Sequence, residues 1–403
     1  MIAYHPSSFF QGKRILLGVT GGIAAYKVVS LARYLAEKGA LVTVCMTRHA
    51  LQIVGKAPFE AVTGQRVYVD SFEEGASLAH IVLPRNHDLI LVAPATANII
   101  GKMAHGIADD LLSTLLLVEP RKVLLAPAMN VSMWRNPVVQ ENLRILQERG
   151  VRIVPPASGR LACGEEGEGR LPEVEELVEE VFCALHVPRS LAGKRVLVTA
   201  GATREWIDPV RFLSNPSTGL MGCALASTCR AWGAEVRLIS GALSVRPPSG
   251  IELTRVESAL ELREAVLASF DWCDVLMMSA AVSDFRPASF APTKIKRGHE
   301  PLVLPLVPNP DILGEVGKEK GNKVLVGFCA ETDHVLEEAR RKLVAKNLDM
   351  IVANLVGQKS GFATSTNRVW IVDRKGNEVA FPLLEKVDVA EKIVEHLVSH
   401  FLS

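Results

Sequence analysis

No run of apolar residues in this chain approaches the ~20 needed to cross a bilayer as a helix. The longest, "LLSTLLLV" (111–118) and "DLILVAPA" (88–95), fall well short. The opening "MIAYHPSSFFQGKR" has no basic stretch followed by a long apolar one, so no secretory signal is expected and the expected address is cytoplasmic. The seven cysteines (45, 163, 183, 223, 229, 273 and 329) form no CxxC pair, which disfavours zinc and thioredoxin-type chemistry. Most are expected to be small buried hydrophobes. Charge of one sign is missing too: 45 Lys and Arg face 44 Asp and Glu. Neither a nucleic-acid surface nor a polybasic membrane patch is expected. A dinucleotide fingerprint is also absent. "GVTGGIAAYK" (18–27) lacks the G-x-G-x-x-G spacing, and the following strand ends "CMTRHA" with no acid for a ribose. The corresponding strand of the second half ends "RLISGALS", again without one. An NAD-dependent dehydrogenase is disfavoured twice.

What is present is one opening written twice. Residues 12–22 read "GKRILLGVTGG" and residues 193–203 read "GKRVLVTAGAT". Each is a turn, a short apolar strand and a small-residue loop, as at the start of a nucleotide-binding α/β domain. In a chain of 403 residues this predicts two domains, drawn at 1–188 and 189–403. Strands are expected at 14–19, 41–47, 88–96 and 122–130, with a helix over 23–38 and an acidic helix over 172–185. After a linker at 186–193, strands follow at 195–200, 235–240, 275–282, 323–331, 350–354 and 367–373. Helices are expected at 220–232 and 386–401, and a mobile basic loop at 289–301. Apolar strands alternating with helices predict parallel sheets covered on both faces. Two strands end in Pro-Ala turns, at the carboxyl edge where such sheets bind ligands. The start of helix 23–38 can take a phosphate, with the Thr20 and Thr47 hydroxyls nearby. The same loop also reads as a plain turn.

Three stretches in order, "LAHIVLPRNHDLILVAPATANIIGKMAHGIADDLLST" (78–114), "APAMN" (126–130) and "GRLACGEEGEGR" (159–170), resemble the flavin-containing cysteine decarboxylases. The last resembles the substrate clamp of the phosphopantothenoylcysteine decarboxylase branch. The resemblance implies a flavodoxin-like domain with FMN at Thr20, Gly21, Gly22, Thr47, Ala95, Thr96 and Asn98. It implies His80 as base, Asn130 as holder of the substrate carboxylate and Cys163 as proton donor. The implied reaction oxidises the substrate thiol to a thioaldehyde, which acts as electron sink while carbon dioxide leaves. These residue types suit the work. Histidine exchanges a proton near neutral pH, and an amide orients a carboxylate without fixing it as a salt. Met129 reads equally as packing or as flavin contact. His5, His87 and His105 receive no role.

The second half contains "VTAGATREWIDPVRFLSNPSTGLMG" (198–222), "AAVSDFRP" (280–287), "KIKR" (294–297), "NPDIL" (309–313), "GFCAET" (327–332) and "ARRKLVAKNLDMIVAN" (339–354). Together they resemble phosphopantothenate–cysteine ligase, so the whole chain resembles the bifunctional enzymes of bacterial coenzyme A synthesis. Two Rossmann-like three-layer domains in series are implied, the second with a mixed sheet. The resemblance assigns CTP to Ala280, Asp284, Lys294, Asn309, Pro310, Asp311, Ile312, Phe328, Lys342 and Lys346. Asn215 and Lys294 serve the acyl-cytidylate step, and Asp284 holds Mg²⁺. Cations suit attack by an anion on a triphosphate. The implied substrates are 4′-phosphopantothenate, cysteine and CTP. A homo-oligomer is implied, with a trimeric or dodecameric decarboxylase core and dimeric ligase halves. Taken alone, "KIKR" reads as a solvated loop, while the Lys342/Lys346 pair reads as a nucleotide contact ahead of a solvated helix face. Two positions depart from the family pattern: Ala202 stands where proline is expected, and Leu220 where lysine is. The alternative is a regulatory or assembly protein on the same fold with one active half.

Overall fold

The structure is a computed structural model and describes residues 4–71, 78–161, 164–297, 299, 301–357 and 364–402. It divides into two units, Ser7–Leu185 and His186–Ser403, the second taking in residues 4–6 of the N-terminus. Tyr4 explains that assignment. It is buried in the second unit's core, and its hydroxyl donates to the Arg246 carbonyl.

In the first unit the strands are β1 (Arg14–Val19), β2 (Leu41–Met46), β3 (Val67–Tyr68), β4 (Leu89–Ala95), β5 (Val123–Pro127) and β6 (Arg152–Ile153). The helices are α1 (Ala25–Glu37), α2 (Lys56–Thr63), α3 (Ala79–Asn86), α4 (Ala97–His105), α5 (Leu111–Leu116), α6 (Val131–Trp134), α7 (Pro137–Glu148) and α8 (Val174–Leu185). All six strands are parallel, in the order β3-β2-β1-β4-β5-β6. Alternate side chains serve opposite faces. Leu16, Ile90 and Val92 join a core with α3, α4, α5 and α7, while α1 and α8 pack against β4 from the other face. Beyond β6 an antiparallel pair follows, β7 (Ala157–Arg160) and β8 (Glu166–Arg170). The glycine-rich motif that resembles a substrate clamp thus contributes to both strands of this ribbon.

The second unit contains β9 (Arg195–Ala200), β10 (Arg204–Trp206), β11 (Phe212–Ser214), β12 (Glu235–Ser240), β13 (Glu252–Arg255), β14 (Val275–Met278), β15 (Phe285–Pro287) and β16 (Leu306–Pro308). It continues with β17 (Val324–Glu331), β18 (Met350–Leu355), β19 (Thr366–Asn367), β20 (Val369–Asp373) and β21 (Glu378–Ala380). Its helices are α9 (Leu220–Ala231), α10 (Ala259–Phe270), α11 (Ile312–Lys318), α12 (Val335–Ala345) and α13 (Lys386–Leu397). The main sheet runs β13-β12-β9-β14-β17-β18-β20-β21. It is parallel through β18, with β20 and β21 antiparallel. Val196, Val198 and Ala200 face α9 and α13, and Leu197 faces α10, α11 and α12. In each sheet the strand order reverses beside the first strand, between β1 and β4 and again between β9 and β14. The repeated opening thus builds the same topological switch twice.

Three boundaries differ from expectation. The strand expected over 275–282 ends at Met278, because the Ala280 and Ser283 N–H groups are taken by the Thr199 and Thr203 hydroxyls. Residues 186–193 belong to the second unit's core: Leu191 is buried there and its N–H donates to the Trp232 carbonyl. The last helix stops at Leu397 and runs into a π-helical turn, 398–402. Six cysteines are free and buried, as their composition predicts. Among the described residues no helix is long and apolar enough to cross a membrane.

Candidate active sites

In the first unit the predicted FMN residues cluster on the carboxyl edge of the sheet. Thr20 follows β1, Thr47 follows β2, and Ala95 and Thr96 close β4. Thr20 is 2% exposed and spans the switch point. Its hydroxyl donates to the Pro94 carbonyl at 2.6 Å and accepts the Thr96 N–H at 3.2 Å. The hydroxyl hydrogen is therefore committed to the Pro94 carbonyl, and Thr20 ties the end of β1 to the end of β4. Thr47 differs, since its oxygen accepts the Ala50 N–H at 3.2 Å and keeps its hydrogen for another partner. Gly21 and Gly22 lie against His49 and Pro94, and Asn98 is exposed in the first turn of α4.

The two helices that start at the switch point, α1 and α4, have no side-chain cap and no acid in the first turn. Their N–H groups and dipoles suit a phosphate without a carboxylate to repel it. The residues present fit the phosphate end of a flavin mononucleotide.

Asn130 caps α6, its Oδ1 accepting the Ser132 N–H at 2.7 Å, and its Nδ2 donates to Glu165 Oε2 at 2.6 Å. Backbone contact brings the ribbon to the same turn. Met129 N–H donates to the Gly169 carbonyl at 2.9 Å, and at Gly169 (φ +126°) any Cβ would run into the Met129 carbonyl. The "APAMN" and glycine-rich motifs are thus side by side. Cys163, between β7 and β8, lies outside the described residues. His80 is half-buried at the start of α3, and among the described residues its ring has no hydrogen-bond partner. Two other histidines of this unit are occupied structurally. His87 is bonded to Leu83 and Thr43, with burial holding its pKa down, and His105 meets Asn142.

In the second unit, side chains from distant segments surround one cavity of about 580 Å³. Its wall includes Asn215, Ala280, Asp284, Asn309, Pro310, Asp311, Ile312, Phe328, Lys342 and Lys346. Asn215 donates Nδ2 to the Ala281 and Val282 carbonyls at 3.3 Å each. Asn309 ties the opposite wall, donating to the Ser283 carbonyl at 2.8 Å and accepting from Arg286 at 3.1 Å. Asp311 caps α11 through the Gly314 N–H and pairs with Lys346 at 2.7 Å. Lys342 pairs with Glu331 at 2.5 Å. These two lysines are matched by carboxylates rather than solvated. Cys329, also in the wall, has its thiol pushed up to about 11 by burial.

The start of α9 closes one side, with Ser217, Thr218, Gly219 and Leu220. Gly222 allows that approach, since a Cβ there would lie 2.5 Å from Ala200 Cβ. Leu220 contributes no charge. Ala202 makes a bond that proline could not, its N–H donating to the Ala242 carbonyl at 3.2 Å. Asp284 is exposed, and among the described residues no group of three metal-ligating side chains exists. A single carboxylate suits Mg²⁺ that takes its other ligands from phosphates and water.

Lys294 is exposed and stands outside the cavity wall. Its neighbour Ile295 is pinned: the N–H donates to Asp208 Oδ2 at 3.1 Å and the carbonyl accepts from Arg211 at 3.1 Å. Asp208 is fully buried. Burial opposes its ionisation, but the N–H groups of Val210, Ile295 and Arg211, with the Arg211 guanidinium, hold the carboxyl below its usual range. Sequence reasoning missed Ser279, Asn367 and Lys386, which also line the cavity. None of the three stands in a motif.

Residues 191–401 match the family model described as DNA/pantothenate metabolism flavoprotein C-terminal domain, and residues 5–186 match the Flavoprotein model. The Bacillus subtilis coenzyme A biosynthesis bifunctional protein CoaBC is 44% identical over 393 residues, covering 96% of this chain and 97% of that protein. This chain belongs to that family. The family's Mycobacterium tuberculosis H37Rv member is 41% identical over 403 residues, with 96% of each chain covered. The crystal structure of a CoaBC C-terminal domain is 39% identical, covers 53% of this chain and 97% of its own, and gives a TM-score of 0.46.

Proposed function

We propose that the second unit joins cysteine to 4′-phosphopantothenate using CTP and Mg²⁺. The first unit then decarboxylates the product to 4′-phosphopantetheine with FMN, in the coenzyme A pathway of the cytoplasm. One observation carries the reading: Asn215, residues 280–284 and 309–312, Phe328, Lys342 and Lys346 line a single cavity although far apart in sequence.

In the ligase reaction the substrate carboxylate attacks the α-phosphorus of CTP, and pyrophosphate leaves. The cysteine amine then attacks the acyl carbonyl, and CMP leaves. Lys342 and Lys346 meet the triphosphate as half-neutralised cations, so phosphate competes with Glu331 and Asp311 for them. Lys294 supplies a further cation from its pinned segment. Asn215, held by two carbonyls, presents an oriented amide to the acyl-cytidylate. Asp284 would hold Mg²⁺, which neutralises developing phosphate charge when bound.

In the decarboxylase reaction FMN, when bound, would supply a reversible two-electron carrier that accepts a pair from the substrate thiol and returns it to the ene-thiol left after carbon dioxide departs. Thr20 holds β1 against β4, so the loops that cradle the cofactor stay in register. Asn130 holds the departing carboxylate, His80 takes a proton at its imidazole, and Cys163 returns one. A homo-oligomer fits this unit: Ile23 and Tyr26, at the start of α1, are 64% and 61% exposed and form apolar surface for a second copy to cover.

Two variants test the division of labour. Asn130→Asp keeps the α6 cap but removes the donor, and is expected to stop carbon dioxide release while pyrophosphate release continues. Asn215→Ala is expected to block ligation, yet decarboxylate preformed 4′-phosphopantothenoylcysteine at the wild-type rate. Loss of both activities in either folded variant contradicts the assignment.

A further inference from the structure

Arg286 stands in the "AAVSDFRP" stretch without a role in either reaction, yet its side chain joins two segments of the cavity wall. One segment, 280–284, runs into β15, and the other, 309–312, follows β16. These strands are antiparallel and three residues long, with Phe285 opposite Pro308. The chain between them carries Lys294. So short a pair is a weak joint by itself, and side chains reinforce it. Arg286 Nη1 donates to the Pro308 carbonyl at 2.7 Å and to Asn309 Oδ1 at 3.1 Å. Asn309 in turn grips the first segment. Its Nδ2 donates to the Ser283 carbonyl at 2.8 Å, and its backbone N–H donates to the Asp284 carbonyl at 2.8 Å. A guanidinium only donates, so it holds the oxygen end of the Asn309 amide toward itself and the nitrogen end toward Ser283. Without Arg286 that amide can turn over, and the tie to Ser283 goes with it.

The charge balance of the wall points the same way. Lys342 and Lys346 are each matched by a carboxylate, Glu331 and Asp311. Both acceptors of Arg286 are neutral, and among the described residues no carboxylate pairs with it. Arg286 therefore brings a positive charge without an ion-pair partner to within hydrogen-bond distance of a cavity residue. The side chain is half-buried, so salt screens that charge less than it screens one on the open surface.

We propose that Arg286 is a positioning residue of the ligase: it sets the two wall segments at the spacing the nucleotide needs, and its charge draws the triphosphate to them. The inference rests on the reading of this cavity as a nucleoside-triphosphate site. Arg286 lies outside the cavity wall and acts through Asn309, Ser283 and its electrostatic field.

The test is equilibrium binding of CTP to the full chain by calorimetry at low and high salt, with steady-state kinetics beside it. Arg286→Met keeps most of the stem and removes both the donors and the charge. It is expected to weaken CTP and raise its KM by about tenfold, with the KM for cysteine unchanged. Its CTP affinity should also fall less steeply with salt than that of the wild type. Arg286→Lys keeps the charge without the planar fork, and is expected to keep the wild-type salt slope while losing about threefold in affinity. A merely structural residue moves neither the salt slope nor the KM for CTP alone. Wild-type CTP affinity and KM in Arg286→Met, or an equal rise in the KM for cysteine, would overturn the inference. If that variant does not fold, Arg286→Lys decides: the threefold loss supports the inference and wild-type affinity overturns it. A wild-type protein that does not bind CTP would overturn the nucleotide reading itself, and this inference with it.

Discussion

Asn130 donates its side-chain amide to Glu165 across 2.6 Å, so the amide proposed to receive a substrate carboxylate already holds one of the protein's own. Glu165 sits on the ribbon segment that carries Cys163, and the contact ties that segment to the turn after β5. Substrate must displace it. Glu165 is exposed, which limits the hold to about 1 kcal/mol or less. Glu165→Ala is therefore expected to lower the decarboxylase KM by about two- to fivefold. An unchanged or raised KM in steady-state carbon dioxide release would show that Glu165 does not compete.

Thr20 joins β1 to β4 with two bonds through one buried hydroxyl. Thr20→Val keeps the shape and leaves the Pro94 carbonyl and Thr96 N–H unmatched, at a cost of about 1–3 kcal/mol. The purified variant is expected to lose most of its flavin, read from absorbance near the visible flavin band, while pyrophosphate release is untouched. Full flavin retention would count against the crevice as the cofactor site.

Asp208 reaches the chemistry through Ile295, next to Lys294, by its own bond and by way of Arg211. Asp208→Asn weakens that anchor and is expected to lower ligase kcat about tenfold, with decarboxylation of preformed substrate unchanged. Its pH behaviour has a definite sign. A carboxyl held below its usual range stabilises the fold fully above the unfolded value of about 3.9. That stabilisation is lost as pH falls through the folded value. The wild-type second unit should therefore lose more stability on acidification than Asp208→Asn does; equal acid slopes in thermal unfolding would contradict it.

Ala202 donates its N–H to the Ala242 carbonyl, and proline would delete that donor. Ala202→Pro is expected to destabilise the second unit by about 1 kcal/mol. The first unit's unfolding transition should not move. Calorimetry resolves the two transitions, and a stabilised second unit would mean the bond contributes nothing.

Much of this architecture was legible in sequence because parallel strands declare themselves as short apolar runs. β1, β9 and β17 fall within a residue of their expected limits. The cavity's principal residues were also legible, because they stand in motifs whose order is informative. Lys386, Asn367 and Ser279 were not. Their approach to the cavity depends on how β19 and α13 fold back, a non-local event with no local signature. The ion pairs of Lys342 and Lys346 were hidden for the same reason: Glu331 and Asp311 lie on other elements. The ribbon at β7 and β8 was not legible either, because its glycines mask strand propensity.

The most direct measurement is product stoichiometry from the pure protein given 4′-phosphopantothenate, cysteine, Mg²⁺ and CTP. The account predicts pyrophosphate and carbon dioxide in equal final amounts, both dependent on cysteine and CTP. Pyrophosphate without carbon dioxide, or neither product, would contradict it.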